Sequence, residues 1–180
     1  NTSYNIFTEP TSLVGKTVKA IAAGDGYLFA VATDGITYAT GNNIIGQIGL
    51  GSSNSVKNFT EVPVLSGLTV NSIFTGSQHS FAITADGVYA TGYNNRGQLG
   101  LDHSTDNYRT FTKVPSLSGI DVVSFAVGAY HSAALTSDGS LYVTGWNPYS
   151  QIGLSTSPNI YEEFTLVTAL ASKTVTAVSA

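Results

Sequence analysis

One unit of about 52 residues recurs three times along this 180-residue chain, and any fold the chain adopts must repeat with it. Gly24, Gly76 and Gly128 stand 52 apart, as do Asp34, Asp86 and Asp138, each of them followed by glycine. Phe7, Phe59, Phe111 and Phe164 recur at intervals of 52, 52 and 53. From the first anchor the copies run GDGYLFAVATDGITYATGNNIIGQIGL, GSQHSFAITADGVYATGYNNRGQLGL and GAYHSAALTSDGSLYVTGWNPYSQIGL, the second one residue shorter just after its Asp-Gly. The chain therefore divides as one repeat array over 1–180, with copies at about 7–58, 59–110 and 111–163 and a partial fourth at 164–180.

Within a copy the apolar residues are β-branched or aromatic and fall in short runs: Thr69 to Thr75, His79 to Thr84, Val88 to Thr91 and Phe111 to Val114. Such runs read as strands. Asp34-Gly35, Asp86-Gly87 and Asp138-Gly139 lie between the second and third runs, where a tight hairpin needs residues that tolerate positive φ. Pro63 and Pro115 close the fourth run, which suits an edge strand because proline cannot donate to a ladder. The expected fold is all-β, a propeller-type array of four-stranded antiparallel blades. The run Thr174 to Ser179 is expected to be a strand lacking the rest of its blade.

Gly-x-x-His-Ser stands at Gly76 to Ser80 and Gly128 to Ser132, Thr-x-Asp-Gly at Thr84 to Gly87 within a turn matched by Leu135 to Gly139, and Gly-Gln-Leu-Gly at Gly97 to Gly100. In these motifs, and over nearly its whole length, the chain resembles the regulator of chromosome condensation repeat family. The resemblance implies a seven-bladed ring, which at this period takes about 364 residues, so three copies are an incomplete ring, about half of one. It departs in two places: Thr40, Thr91 and Thr144 stand where the family has Trp before Gly, and Tyr27-Leu28 replaces His-Ser in copy one. It implies a binding role, with guanine-nucleotide exchange on a small GTPase as an alternative. A second copy of this chain would restart out of register with the first, so the expected partner is another protein or the remainder of its own propeller.

Composition narrows the function. Charged residues make up 10% of the chain, against roughly 25% in soluble domains generally. With a net charge of -4 and seven scattered Lys and Arg, no basic patch exists to neutralise a phosphate backbone, and nucleic-acid binding is not expected. Cysteine is absent, which removes disulfides, thiolate metal sites and a cysteine nucleophile. No run of about 18 apolar residues is present to span a membrane. Methionine is absent too, so residue 1 is not a translation start and the chain is expected to be a processed product or part of a longer one.

His79 and His131 occupy equivalent positions, and repetition argues for a structural hydrogen bond in each blade rather than proton transfer. Their possible acid partners Asp86 and Asp138 are themselves repeated turn residues. Gln47, Gln98 and Gln151 recur after the glycine-rich loop, where a side-chain amide can pair with backbone of a neighbouring blade. Asp102, Ser104 and Asp106 resemble the start of a calcium loop but lack its sixth-position glycine and closing acid. No catalytic residue, metal site or cofactor is expected.

Function is expected where the copies differ. The first-to-second and third-to-fourth connections lie on one face, and its unlike loops are 42–45 with 51–58, 93–96 with 102–110, and 146–149 with 155–161. They carry Arg96, Tyr108, Arg109, Trp146 and Tyr149, residue types favoured at binding hot spots. Asn1-Thr2-Ser3 and Asn58-Phe59-Thr60 are N-glycosylation patterns, Asn58 in an expected exposed loop. With the low charge they point to an extracellular or cell-surface setting, with the cytoplasm as the alternative. The leading expectation is a non-catalytic binding or surface-display scaffold; a carbohydrate-binding or structural extracellular array using Trp146 and the tyrosines stands as an alternative, with glycans among the possible partners.

Overall fold

The computed structural model describes residues 10–102, 106–155 and 157–180. Asn1, Phe7 and Ser104 lie outside them. Twelve strands form three four-stranded antiparallel sheets in sequence order. Blade one is β1 Val18–Ala23, β2 Tyr27–Ala32, β3 Thr37–Gly41 and β4 Val56–Glu61. Blade two is β5 Val70–Thr75, β6 His79–Thr84, β7 Gly87–Gly92 and β8 Tyr108–Lys113. Blade three is β9 Val122–Val127, β10 His131–Thr136, β11 Leu141–Trp146 and β12 Ile160–Leu166. Each sheet is an up-and-down meander whose first strands lie side by side, β1 against β5 and β5 against β9.

The expected hairpins join the second and third strands of each blade. Asp34 and Asp138 make the turn the same way, each carboxylate accepting the amide two residues on at 3.0 Å. Copy two is one residue shorter and closes differently. There Thr84 Oγ1 accepts the Asp86 amide and donates to the Gly87 carbonyl, and the Asp86 carboxylate accepts from the Tyr89 hydroxyl and pairs with Lys113 Nζ at 2.9 Å.

The fourth strands begin earlier than the apolar runs indicate. A register shift after Ala39, Ala90 and Val143 pairs Gly41 with Val56, Gly92 with Tyr108 and Gly145 with Tyr161, so polar residues ahead of each phenylalanine join the ladder. Asn58, Tyr108, Arg109 and Tyr161 are consequently strand residues, not loop residues. Pro63 and Pro115 also move: each opens a short 3-10 helix, Pro63–Leu65 and Pro115–Leu117, where a fixed φ is an advantage and a missing amide costs nothing. Equivalent turns stand at Thr11–Leu13 and Thr168–Leu170. The run Thr174 to Ser179 forms no strand; its one ordering bond among the described residues runs from the Val175 amide to the Gly139 carbonyl.

The core lies between blades. Phe29, Val31, Ile48 and Leu65 of blade one pack against Val70, Ile73 and Phe111 of blade two. Phe81, Leu99 and Leu117 of blade two repeat this against Val122, Phe125 and Phe164 of blade three. Phe81 stacks on Phe125 with centroids 4.4 Å apart, and Phe164 meets both rings edge-on. A sheet covered on both faces needs apolar residues on both, and β2 accordingly reads as a continuous apolar run, YLFAVA, while β6, HSFAIT, is apolar from Phe81 to Ile83 between polar ends.

Close approach sets the glycines of the loop face. At Gly97, with φ +70°, an added Cβ would lie 2.7 Å from the Tyr161 carbonyl oxygen in blade three. At Gly35, with φ +87°, it would meet nothing within 4 Å. Gly35→Ala should therefore lose about 1 kcal/mol through backbone strain alone, and Gly97→Ala roughly 2 kcal/mol or more. Denaturant midpoints of the two variants compare them directly; equal losses would contradict the close packing of blades two and three.

Candidate functional site

A clasp closes each junction on the loop side. Ser132 Oγ, in blade three, donates to the Gln98 carbonyl of blade two at 2.8 Å and so accepts from His79 Nε2 at 2.9 Å. This fixes the His79 proton on Nε2 and leaves Nδ1 buried without a hydrogen-bond partner among the described residues. One blade earlier, Ser80 Oγ donates to the Gln47 carbonyl at 2.9 Å, and the Tyr27 hydroxyl takes the place of the imidazole, 3.1 Å from Ser80 Oγ. That hydroxyl also lies 3.0 and 2.9 Å from the Gly76 and His79 carbonyls. Tyr27 in copy one is thus a working substitute for histidine. Burial raises the Tyr27 pKa and, with a smaller push from His131, lowers that of His79 to about 3. Among the described residues neither group hydrogen-bonds a carboxylate. His131, half-buried, is also held below the usual histidine range by desolvation.

The glutamines serve their own loops and not the neighbouring blade. Gln47, Gln98 and Gln151 accept the amides of Ile45, Arg96 and Tyr149 through their side-chain oxygens at 3.2, 2.9 and 3.0 Å. Asn43, Asn94 and Asn147, all buried, accept the amides of Ile48, Leu99 and Ile152 in the same way. Each blade therefore has the same pinned loop, built by residues common to all copies. The copies vary at Asn42, Tyr93 and Trp146, at Ile44, Asn95 and Pro148, at Ile45, Arg96 and Tyr149, and at Gly46, Gly97 and Ser150.

At the junction of blades two and three these variable positions come together. Tyr93 packs against Tyr130 with centroids 6.2 Å apart, Tyr130 meets Trp146 edge-on at 6.0 Å, and Trp146 meets Tyr149 edge-on at 5.6 Å. The Arg96 guanidinium lies over Trp146, 5.9 Å from the ring centroid. Tyr149 is 79% and Tyr130 44% exposed. Of the five expected residues the structure joins Arg96, Trp146 and Tyr149. Tyr108 and Arg109 sit apart from them: the Tyr108 side chain is half-buried against the core between blades two and three, its hydroxyl donating to the Leu101 carbonyl, and the Arg109 backbone lies over Gly46 at the preceding junction. Tyr130 was overlooked because it sits inside the repeated Gly-x-x-His-Ser motif. The signal was there, since the copies read Gly26, Gln78 and Tyr130 at that position.

The remaining expected sites are simply placed. Asn58 is exposed on β4, the outermost strand, and its carbonyl accepts from Thr60 Oγ1. Asp102 and Asp106 are exposed, and among the described residues no group of three His, Asp or Glu side chains could hold a metal ion. Among those residues, too, no helix is long and apolar enough to cross a membrane.

Successive four-stranded sheets, packed face to face and clasped at equivalent residues, define a repeat β-propeller array. Models of the Regulator of chromosome condensation (RCC1) repeat match residues 34–83 and 86–135, and a second model of the same repeat matches 70–98 and 122–151. The chain belongs to the RCC1 repeat family. It is 32% identical over 143 residues to the Ultraviolet-B receptor UVR8 of Arabidopsis thaliana, covering 79% of this chain and 32% of the receptor. It is 37% identical over 142 residues to the X-linked retinitis pigmentosa GTPase regulator of Mus musculus, covering 78% of this chain and 14% of the regulator. It thus spans a third or less of these relatives. In fold it matches a chain in the crystal structure of Kap60 bound to yeast RCC1 (Prp20), with a TM-score of 0.77 at 23% identity over 90% of this chain and 40% of that one.

The clasp carries a pH dependence. His79 stays neutral in the folded chain down to about pH 3, while in the unfolded chain it takes up a proton near pH 6.5. Its contribution to stability is complete above pH 6.5 and is lost as pH falls toward the folded value. The melting temperature should therefore drop between pH 6.5 and 5, above the carboxylate range, and His79→Gln should flatten the larger part of that slope. An unchanged slope in the variant, followed by circular dichroism, would place the effect elsewhere.

Proposed function

We propose that the chain is a non-catalytic protein-binding module whose partner docks on the loop face, on the aromatic cluster shared by blades two and three. RCC1-repeat propellers bind proteins, as the yeast RCC1 (Prp20) complex with Kap60 illustrates, and this supports the class of activity. The observation that carries the location is the cluster of Tyr93, Tyr130, Trp146 and Tyr149 with Arg96. Trp, Tyr and Arg are the side chains that most often supply about 2 kcal/mol or more when an interface buries them. The positions that build the loop are common to all copies, whereas those that carry the cluster are not, as expected of display sites on a shared frame. An extracellular or cell-surface setting fits the exposed Asn58 sequon, and a mass shift of the native protein on enzymatic deglycosylation would test it.

The experiment is affinity capture from the native source with the wild type, Arg96→Ala/Trp146→Ala and Arg109→Ala, with captured proteins quantified by mass spectrometry. The double variant should lose a partner that Arg109→Ala keeps, by about a hundredfold or more in affinity given hot-spot magnitudes, with its melting temperature unchanged within a few degrees. Equal capture by all three proteins would remove the cluster as the docking site. A captured small GTPase whose nucleotide release the chain accelerates would replace this reading with exchange.

A further inference from the structure

The hairpin of copy two is one residue shorter than its equivalents, and the junction beside it is hollow. Between blades one and two, on the side opposite the loop face, a cavity of ≈ 370 Å³ lies between the Asp34-Gly35 hairpin and the connection 67–70, with Lys19 and Ile36 in its wall. The same place between blades two and three holds a cavity of ≈ 620 Å³. Ile36 has no counterpart there, since Gly87 is followed directly by Val88, the equivalent of Thr37. The cavity therefore deepens to Val88 and Leu117, buried members of the second core. Their equivalents Thr37 and Leu65 do not line the smaller one. The larger volume lies within the range of about 300–1,000 Å³ usual for small-molecule sites.

The lining changes in one chemical direction as well. Lys19, Ala20 and Thr69 at the first junction correspond to Asn71, Ser72 and Asp121 at the second, so that an amide replaces a cation, a hydroxyl a methyl group, and a carboxylate a hydroxyl. Among the described residues no lysine or arginine lines the larger cavity. Asp86, the other carboxylate in its wall, is already matched by Lys113 at 2.9 Å. The side chains of Asn71, Ser72 and Asp121 make no hydrogen bond or ion pair among the described residues. These groups stand over a floor of Ile83, Val88, Leu117 and Val122.

An apolar hollow edged by an unpaired carboxylate and two neutral acceptors is complementary to a cation carried on a hydrocarbon body. We infer that this cavity is a binding site for a small primary amine with an apolar body, on the face of the array opposite the aromatic cluster. The hydrocarbon part enters the space that the longer hairpin of copy one closes. The ammonium group has three donors to place, and Asp121, the Ser72 hydroxyl and the Asn71 amide oxygen are the acceptors for them, the bond to the carboxylate being the strongest of the three.

The probes are benzylamine and benzyl alcohol, titrated against the 180-residue chain and followed by ligand-detected NMR. Saturable binding of the amine with a dissociation constant on the order of a millimolar is expected, as befits so small a ligand, and the alcohol should bind several-fold more weakly. Equal affinity of the two probes would overturn the preference for a cation. Asp121→Asn should bring the amine to the level of the alcohol and leave the alcohol unchanged. Asp25→Asn, which removes an exposed carboxylate from the connection between β1 and β2, should change neither; equal losses in the two variants would reduce the effect to net charge and overturn the site. Inserting isoleucine between Gly87 and Val88 restores the hairpin length of copy one and should abolish binding of both probes. If that variant does not fold, Ile83→Phe replaces it and should weaken both about tenfold. Wild-type affinity in whichever variant is folded, or no saturation by benzylamine in the wild type, would overturn the proposal.

Discussion

The hydroxyls of Ser80, Ser132, Thr91 and Thr144 each serve two blades at once, and the array depends on them. Thr91 Oγ1 lies 2.9 Å from both the Gly46 carbonyl of blade one and the Tyr108 carbonyl of its own blade, and Thr144 repeats this with Gly97 and Tyr161. A blade buries the backbone of its neighbour's loop, and a buried carbonyl left without a donor costs about 1–3 kcal/mol. The chain has no disulfide, and its ion pairs among the described residues, Lys16 with Asp34 and Lys113 with Asp86, lie on the surface. Apolar packing, hydroxyl-to-carbonyl bonds, the His79–Ser132 bond and the backbone bonds from Gly51 to Arg109 and from Asp102 to Glu162 join the blades. The low share of charged residues follows: these junctions need neutral donors small enough to fit where backbones nearly touch.

Because all copies need the same junction, the residues that build it cannot also distinguish one blade from another. Asn43, Asn94 and Asn147 and the three glutamines hold every loop in one conformation. The outward loop positions and the residue before the clasp are released from this duty. At the first junction they include Asn42, Ile44, Ile45 and Gln78; at the second, Tyr93, Asn95, Arg96 and Tyr130, joined there by Trp146 and Tyr149 from blade three. The cluster is the place where these released positions happen to be aromatic on both sides of one junction.

This division explains what could be read from the residues alone. Strand order, the hairpins at Asp34, Asp86 and Asp138, and the propeller class follow from local chemistry repeated three times, which makes a weak signal strong. The fourth strands were misjudged at their starts because pairing of Val56, Tyr108 and Tyr161 with glycines is set by a register shift, which leaves no apolar pattern. Spacing shows that the glutamines repeat, but the direction of their bonds, into their own loops, depends on a loop conformation that spacing does not reveal. Tyr108 and Arg109 differ between copies, but their variation sits on β8, which turns the Tyr108 side chain into the core between blades two and three and lays the Arg109 backbone over Gly46 of blade one.

The cluster is fixed by backbone as well as by rings. The Trp146 amide donates to the Tyr130 carbonyl at 2.8 Å, and the Tyr93 amide to the Gln78 carbonyl at 2.9 Å, each bond tying the loop that carries an aromatic to the connection just ahead of a clasp histidine. Tyr130 is followed directly by His131, and Gln78 by His79. Side chains held this way lose little freedom when a partner covers them, which is where preorganised interfaces gain affinity. The arrangement also couples binding to assembly of the array. A partner spanning Tyr93 and Trp146 touches two blades and favours only the state in which they are joined, so its binding free energy adds to that of the clasp between His79 and Ser132. A binding surface split across a repeat junction therefore reports on the integrity of the repeat, something a surface confined to one blade would not do.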